Sequence, residues 1–397
     1  MILYQYLDEK MRLKLFMWVK RIFLILAGIG LSLIGFELYF RIFDPQLTFS
    51  NLPKPYDFHC FTAGTYYPVS LSANQNCLLH GNLKQFKDTY IKTNSMGLRN
   101  RQITTPKPKD TIRILFVGDS YTLGWGVDEN ETFPRLTENI LRANFPDKDI
   151  EVINAGMPTT GPDYYYLFIK NEIDRLEPDI IVVGFWMVDD IPDDMYYTDW
   201  LTTDNNGLPI EIKRRSEFVD IEGNSLPVDL PLKYKIPYLR DLHLFSFIAD
   251  MLIPFTKTDG DQQNGFSPRA CLYLRSCHDL DEAKIKTKKL FVAMKNLADK
   301  HSVRMLTVFI PAEFEIDRTA RPKYGIEVQL TQTDKNYPYE EFSSFFKGNG
   351  IDYMDIRGKF LENSDIRSYF EKDNHWNTNG HKLAAEVISK KLSEFLR

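Results

Sequence analysis

The stretch RILFVGDSYTLGWGVDENETFP, Arg113 to Pro134, decides the fold class. Its apolar, strand-like opening stops at Gly118-Asp119-Ser120, and a glycine-rich turn comes next. Loops at the carboxyl ends of parallel strands are where α/β proteins assemble their sites. A hydroxyl at the mouth of a buried strand therefore points to a nucleophile, which needs a base from elsewhere in the chain. Further strand-like runs lie at residues 150–154, 179–185 and 304–310. Helical spacing separates them, over Phe133 to Phe145, about Asp163 to Leu176, and Asp281 to Lys300. Strands alternating with such helices predict a parallel sheet covered on both faces. A last helix is expected from Asn379 to Leu396. Residues 201–270 break the rhythm with turn formers such as Asn205-Asn206-Gly207. They read as an insertion, a candidate cap over the site, with one helical piece from Leu239 to Phe255.

A net charge of −5 with 26% charged residues gives no basic face, which argues against a nucleic-acid partner. The N-terminus differs from the rest. Ile22 to Phe40 is apolar with Glu37 as its only charge. At helical rise that run is about 28 Å long, close to the hydrocarbon core of a bilayer. Lys10, Arg12, Lys14, Lys20 and Arg21 precede it, while Arg41 alone is close behind. The positive-inside rule then gives a cytoplasmic segment 1–21, a transmembrane signal anchor 22–41, and the remainder outside. Residues 42–106, rich in Pro, Asn and Tyr, read as an irregular lead-in to a globular domain at 107–397. A cleaved signal peptide is the alternative. The long basic lead-in and the lack of a small-x-small cleavage signature weigh against it.

Cys60, Cys77, Cys271 and Cys277 fall into two local pairs. Of three connectivities, 60–77 with 271–277 is the simplest in an oxidising compartment. Cys271, Cys277 and His278 lack a fourth ligand at standard spacing, so no metal is expected.

The base is sought among seven histidines. His375 stands out in EKDNHWNTNGHKLAAEV (371–387), with Asp373 two residues before it. In an extended segment residues i and i+2 share a side, so Asp373 can hold Nδ1–H and leave Nε2 free for a serine. The plainer reading is an N-capping loop whose Trp376 packs in the core. No Gly-x-Ser-x-Gly elbow, P-loop, G-x-G-x-x-G or H-E-x-x-H pattern is present.

GDSYTLGWGV (118–127), INAGMPTTGPD (153–163) and DNHWNTNGH (373–381) together resemble the SGNH (GDSL-type) hydrolase superfamily. The match runs from about Arg113 to Arg397 without the insertion, and TNSMGLRNRQ (93–102) resembles the lead-in of membrane-anchored bacterial members. The resemblance implies a flavodoxin-like α/β/α fold with a central parallel sheet and ester-cleaving chemistry without metal or organic cofactor. It makes Ser120 the nucleophile, His375 the base and Asp373 its partner, with Ser120 and Gly156 N–H as oxyanion donors. The Asp-x-His spacing resembles the branch that acts on exopolysaccharide acetyl groups; the commoner aspartate position is Lys372 here. The third block normally reads Gly-x-Asn-Asp, yet FWMVDDIPDD (185–194) puts Asp189 in the place of the asparagine. An ionised carboxylate there would repel the oxyanion, and losing one donor costs ~10²–10³ in rate. Three outcomes stay open: Asp189 is protonated by burial, it points elsewhere while another donor serves, or the protein is catalytically weak.

The expected function is a membrane-anchored periplasmic esterase that hydrolyses or transfers small acyl groups, such as O-acetyl groups, on an envelope glycan or a lipid. The alternative is a non-catalytic envelope binding or assembly protein, which Asp189 supports. Tyr164, Tyr165, Tyr166, Trp186, Tyr196, Tyr197 and Trp200 are candidates for an aromatic cap, or else core.

Overall fold

The N-terminal apolar run forms one long helix, α1 (Glu9–Phe43), which takes in the basic lead-in as well as the expected span. In this computed structural model the described residues are 9–46, 48, 50, 61–63, 66, 69–79, 86–196, 201–212, 233, 236–256, 268–324, 326, 330–371 and 373–397. The lead-in is more ordered than its composition predicts. It holds two antiparallel pairs, β1 (Phe61–Ala63) with β2 (Val69–Leu71) and β3 (Asn76–Leu79) with β4 (Thr89–Lys92). Asn94 then closes a turn by accepting from the Met96 and Leu98 N–H groups.

The core keeps to the β–α alternation. In chain order it comprises β5 (Thr111–Gly118), α2 (Ser120–Leu123), α3 (Phe133–Asn144), β6 (Asp149–Gly156), α4 (Pro162–Leu176), β7 (Ile180–Phe185) and α5 (Met187–Tyr196). A hairpin of β8 (Leu201–Thr203) and β9 (Pro209–Ile212) and the helix α6 (His243–Thr256) fall within the insertion. Then come α7 (Pro268–Tyr273), α8 (Asp281–Lys300), β10 (Arg304–Phe309), α9 (Gln332–Gly348), β11 (Asp352–Asp355) and α10 (Thr378–Leu396). The sheet order is β11-β10-β7-β5-β6, and every pairing is parallel. That is the flavodoxin-like order, with its topological switch between β5 and β7. All six residues of β7 are buried, as a strand covered on both faces requires. Connections from β5 to β6 and from β6 to β7 run in opposite directions, so right-handed crossovers put α3 and α4 on opposite faces. Helix α10 packs on α3, and α8 packs on α4.

Two units are distinguishable. One comprises residues 1–52 and 229–259, thus α1 and α6; the other comprises 53–228 and 260–397, thus the sheet and its helices. The insertion is therefore divided: its β8–β9 hairpin belongs with the sheet and its helix with α1. The Leu239–Phe255 helix begins four residues later than expected, at His243. Cys271 and Cys277 are joined by a disulfide, which removes them as metal ligands. Cys77 is also disulfide-bonded. Cys60 lies outside the described residues, as do Tyr197, Trp200 and Lys372.

Candidate active site

Strand β5 delivers Ser120 to the carboxyl edge of the sheet beside the switch. Gly118 leaves room for α2 to fold back against the strand end, since a Cβ at 118 would stand 2.1 Å from Thr122 Oγ1. Asp119 is the N-cap of α2 and accepts from the Tyr121 N–H at 2.9 Å. The helix stops after one turn at Gly124, whose left-handed φ of 85° suits glycine. Arg99 pins the loop beyond that stop. Its guanidinium donates to the carbonyls of Leu123, Gly124, Val127 and Tyr90 at 2.7–3.1 Å, fully buried. Burial pushes its pKa down to about 10, the charges of Glu129 and Asp128 opposing.

His375 approaches from the far end of the chain. Asn377 caps α10 by accepting from the Asn379 and Gly380 N–H groups. Trp376 is fully buried, stacked on Phe360 and edge-on to Tyr121. Both readings of the DNHW segment thus coexist: the packed tryptophan anchors the loop that presents the histidine. The Phe370 N–H donates to the His375 carbonyl at 3.0 Å, holding the backbone as well.

His375 Nε2 lies 2.7 Å from Ser120 Oγ, although 255 positions separate them. On its other side Nδ1 lies 2.5 Å from Asp373 Oδ1, which also accepts the His375 backbone N–H at 2.8 Å. A carboxylate at Nδ1 selects the tautomer whose Nε2 lone pair faces the serine O–H. Burial pulls the Asp373 carboxyl up, but the charge of His375 and its two hydrogen bonds outweigh this and hold the pKa below the usual value. Asp373 is therefore ionised when His375 has to carry a proton.

Four carboxyls, Asp119, Asp189, Asp190 and Asp193, lie close enough to act on one another's charge. Burial raises Asp119 to about 7, with His375 and the Tyr121 N–H opposing. Asp190 is buried, accepts from Tyr165 Oη and the Trp186 N–H at 3.0 Å, and is held well above the usual range by burial and by Asp119. Asp193 is pushed up by burial and by Asp189 to about 8. Asp189 meets a different partner: Arg269 Nε donates to its Oδ1 at 2.6 Å and Nη2 to its Oδ2 at 2.8 Å. Both carboxylate oxygens of Asp189 are thus taken by Arg269. Arg269, from α7, had no signal in the sequence.

Gly156 departs from its expected role. Its N–H donates to Asn154 Oδ1 at 2.9 Å and is not free for an oxyanion. What the position requires is space, because a Cβ at 156 would stand 2.1 Å from Leu123 N in α2. The Ser120 N–H, at the first turn of α2, has no acceptor among the described residues. The candidate cap is also corrected: Tyr164, Tyr165, Tyr166 and Trp186 are buried core residues.

No family model matches the chain, and no curated protein matches it. Similar solved structures include the acetyl xylan esterase AlAXEase, 15% identical with a TM-score of 0.39, the match covering 71% of this chain and 100% of that one. A catalytic mutant of the acetylxylan esterase Axe2 from Geobacillus stearothermophilus is 10% identical with a TM-score of 0.39, over 71% and 94% of the two chains. A GDSL-like lipase from Bacteroides thetaiotaomicron is 11% identical with a TM-score of 0.37, over 74% and 92%.

Proposed function

We propose that this chain is a membrane-anchored serine esterase of the SGNH type. The observation that carries the reading is the unbroken line from Asp373 Oδ1 to His375 Nδ1 and from Nε2 to Ser120 Oγ, at 2.5 and 2.7 Å. Ser120 Oγ attacks the acyl carbonyl while Nε2 takes its proton. The alcohol leaves with that proton, and an acyl-Ser120 ester remains. Water, or an acceptor hydroxyl in a transferase, then gives its proton to Nε2 and bonds to the acyl carbon, and Nε2 returns the proton to Ser120 Oγ as the acyl–Oγ bond breaks. The Ser120 N–H faces the developing oxyanion from a helix first turn. The acyl group is small and its carrier an envelope glycan or lipid. Anchoring by α1, with the N-terminus in the cytoplasm and the sheet unit outside, accords with the basic lead-in and with the Cys271–Cys277 disulfide.

A second reading, a binding or assembly protein that keeps the fold, is favoured by one observation. Two of the three expected oxyanion donors, Gly156 and Asp189, are committed to other partners. Hydrolysis of p-nitrophenyl acetate by the wild type and by Ser120→Ala separates the two. The esterase reading expects turnover to fall by ~10³ or more in the variant, with fluorophosphonate labelling only of the wild type. Equal, background-level hydrolysis in both and no labelling would leave the binding protein standing.

A further inference from the structure

Helix α6 is fourteen residues long, HLFSFIADMLIPFT, with Asp250 as its one acid and no lysine or arginine. Phe247, Ile248, Met251 and Leu252 are all exposed, Met251 at 55% and Leu252 at 50%. Positions 247, 248, 251 and 252 fall on one side of a helix, so they form a single apolar stripe, barest at Met251 and Leu252. Soluble surfaces scatter such residues and do not align them.

The other contacts of α6 tie it to α1. Glu37, the one charge in the apolar run, accepts from the first N–H groups of α6, those of His243 at 3.2 Å and Leu244 at 2.8 Å. It also takes Arg41 Nε at 2.7 Å. The acid in the apolar segment is thus matched by a helix N-terminus and a guanidinium. The Gln46 N–H donates to His243 Nδ1 at 2.8 Å, and the Ser50 N–H and hydroxyl both reach Asp241 Oδ1. Phe40 stacks on Phe247 with ring centroids 4.5 Å apart. The stripe on α6 therefore adjoins the outer end of α1, where Tyr39, Ile42 and Phe43 are exposed too.

We propose that α6 is a second membrane-contacting element, lying in the outer lipid–water interface beside the exit of α1 with its stripe in the acyl region. The proposal rests on the reading of α1 as a membrane span. At about 21 Å the helix is too short to cross a bilayer, and a short helix with one apolar side is the interfacial kind. Its occupant is a phospholipid bilayer, because the stripe continues an apolar surface that is already lipid-facing and offers no charge to a protein partner. The chain would then stand on two elements, a span and a foot, which restricts rotation about the tether.

Spin labelling of the full chain in phosphatidylcholine–phosphatidylglycerol vesicles tests this. Nitroxides are placed at Leu26→Cys in α1, at Met251→Cys and separately Leu252→Cys in α6, and at Asn206→Cys in the exposed β8–β9 turn. The unlabelled parent serves as the blank for native thiols. Accessibility to oxygen relative to a water-soluble nickel chelate is the readout. The expected result is a severalfold higher ratio at 26, 251 and 252 than at 206, with 251 and 252 shallower than 26. Positions 251 and 252 matching 206 while 26 stays lipid-like would overturn the proposal and leave the anchor intact. Position 26 matching 206 would overturn both. Protection of 251 and 252 from both reagents would mean a protein partner, such as a second copy, and would also overturn it.

Discussion

At position 189 the chain carries an acid where the resemblance calls for an amide, and Arg269 grips both of its oxygens at 2.6 and 2.8 Å. Fork-to-fork pairs of this kind are strong and fix orientation. Arg269 also lies over the Tyr324 ring at 6.0 Å, and Tyr324 Oη donates to the Asn374 carbonyl, next to His375, at 3.2 Å. The pair is therefore linked through Tyr324 to the loop that presents the base. Asp189→Asn is expected to lower turnover roughly tenfold, through lost positioning, and Arg269→Gln by a similar factor. The double variant should be no worse than either, the mark of two residues acting as one. Stability should fall by only about 1 kcal/mol, since both groups keep contact with water. A rise in kcat for Asp189→Asn would show instead that the aspartate is an impaired oxyanion donor. At this scale the sequence revealed Ser120, Asp373 and His375 because a strand end and an i, i+2 spacing dictate which atoms can meet. It hid Arg269 and Arg99, since a cation that grips carbonyls or one distant acid leaves no periodic trace. It also misled at Gly156, whose N–H is taken by Asn154 two residues back, a local bond that no spacing announces.

Helix α2 is a single turn wedged over β6, and what lets it sit there is the absence of a side chain at 156. An added Cβ would meet Leu123 N at 2.1 Å and Thr122 C at 2.5 Å, both backbone atoms that cannot rotate aside. The helix would have to move, carrying Ser120 away from His375 Nε2. Gly156→Ala keeps the N–H yet is expected to lower kcat by ~10²-fold, since an ångström of misplacement costs about that much. Overpacking should also destabilise the unit by about 1–3 kcal/mol. An alanine variant with wild-type kcat and unchanged stability would refute this account of the position. Other elements differ in how plainly they were written. β5, β7 and β10 are interior parallel strands, and β6, though it is an edge, is buried over most of its length; all four are therefore apolar runs. β11 reads DYMD, an edge strand only half covered, and gave no such run. α9 carries Pro338 in its interior, which breaks the usual pattern of a helix. The paired strands between Phe61 and Lys92 are three or four residues each, too short to show alternation.

Taken whole, the chain passes through the α1 unit twice, since residues 229–259 leave the α/β unit and return to it. Composition marked the departure as an insertion but not its destination, because a solvated loop and a route to another unit use the same turn residues. The α/β unit itself should respond to pH in a way that its buried groups dictate. His381, one turn into α10, is fully buried, and its Nδ1 accepts the Phe133 N–H at 3.2 Å. Burial, then the charges of Arg99 and His375, lower its pKa to about 3. The unfolded chain takes up that proton below about 6.5 and the folded one does not, so this contribution is complete above 6.5 and is lost as pH falls toward 3. Asp119 and Asp193 act in the opposite sense. With folded values of about 7 and about 8, they bind protons that the unfolded chain has released, so they weaken the fold as pH climbs from about 4. His381→Gln keeps an acceptor for the Phe133 N–H but cannot titrate. Thermal unfolding followed by near-ultraviolet circular dichroism, which reports packed rings such as Trp376, should show the wild type losing stability on acidification relative to the variant. The gap should reach roughly 2–3 kcal/mol by pH 4.5. Parallel curves from pH 7 to 4.5 would mean that His381 is not the neutral acceptor holding the start of α3.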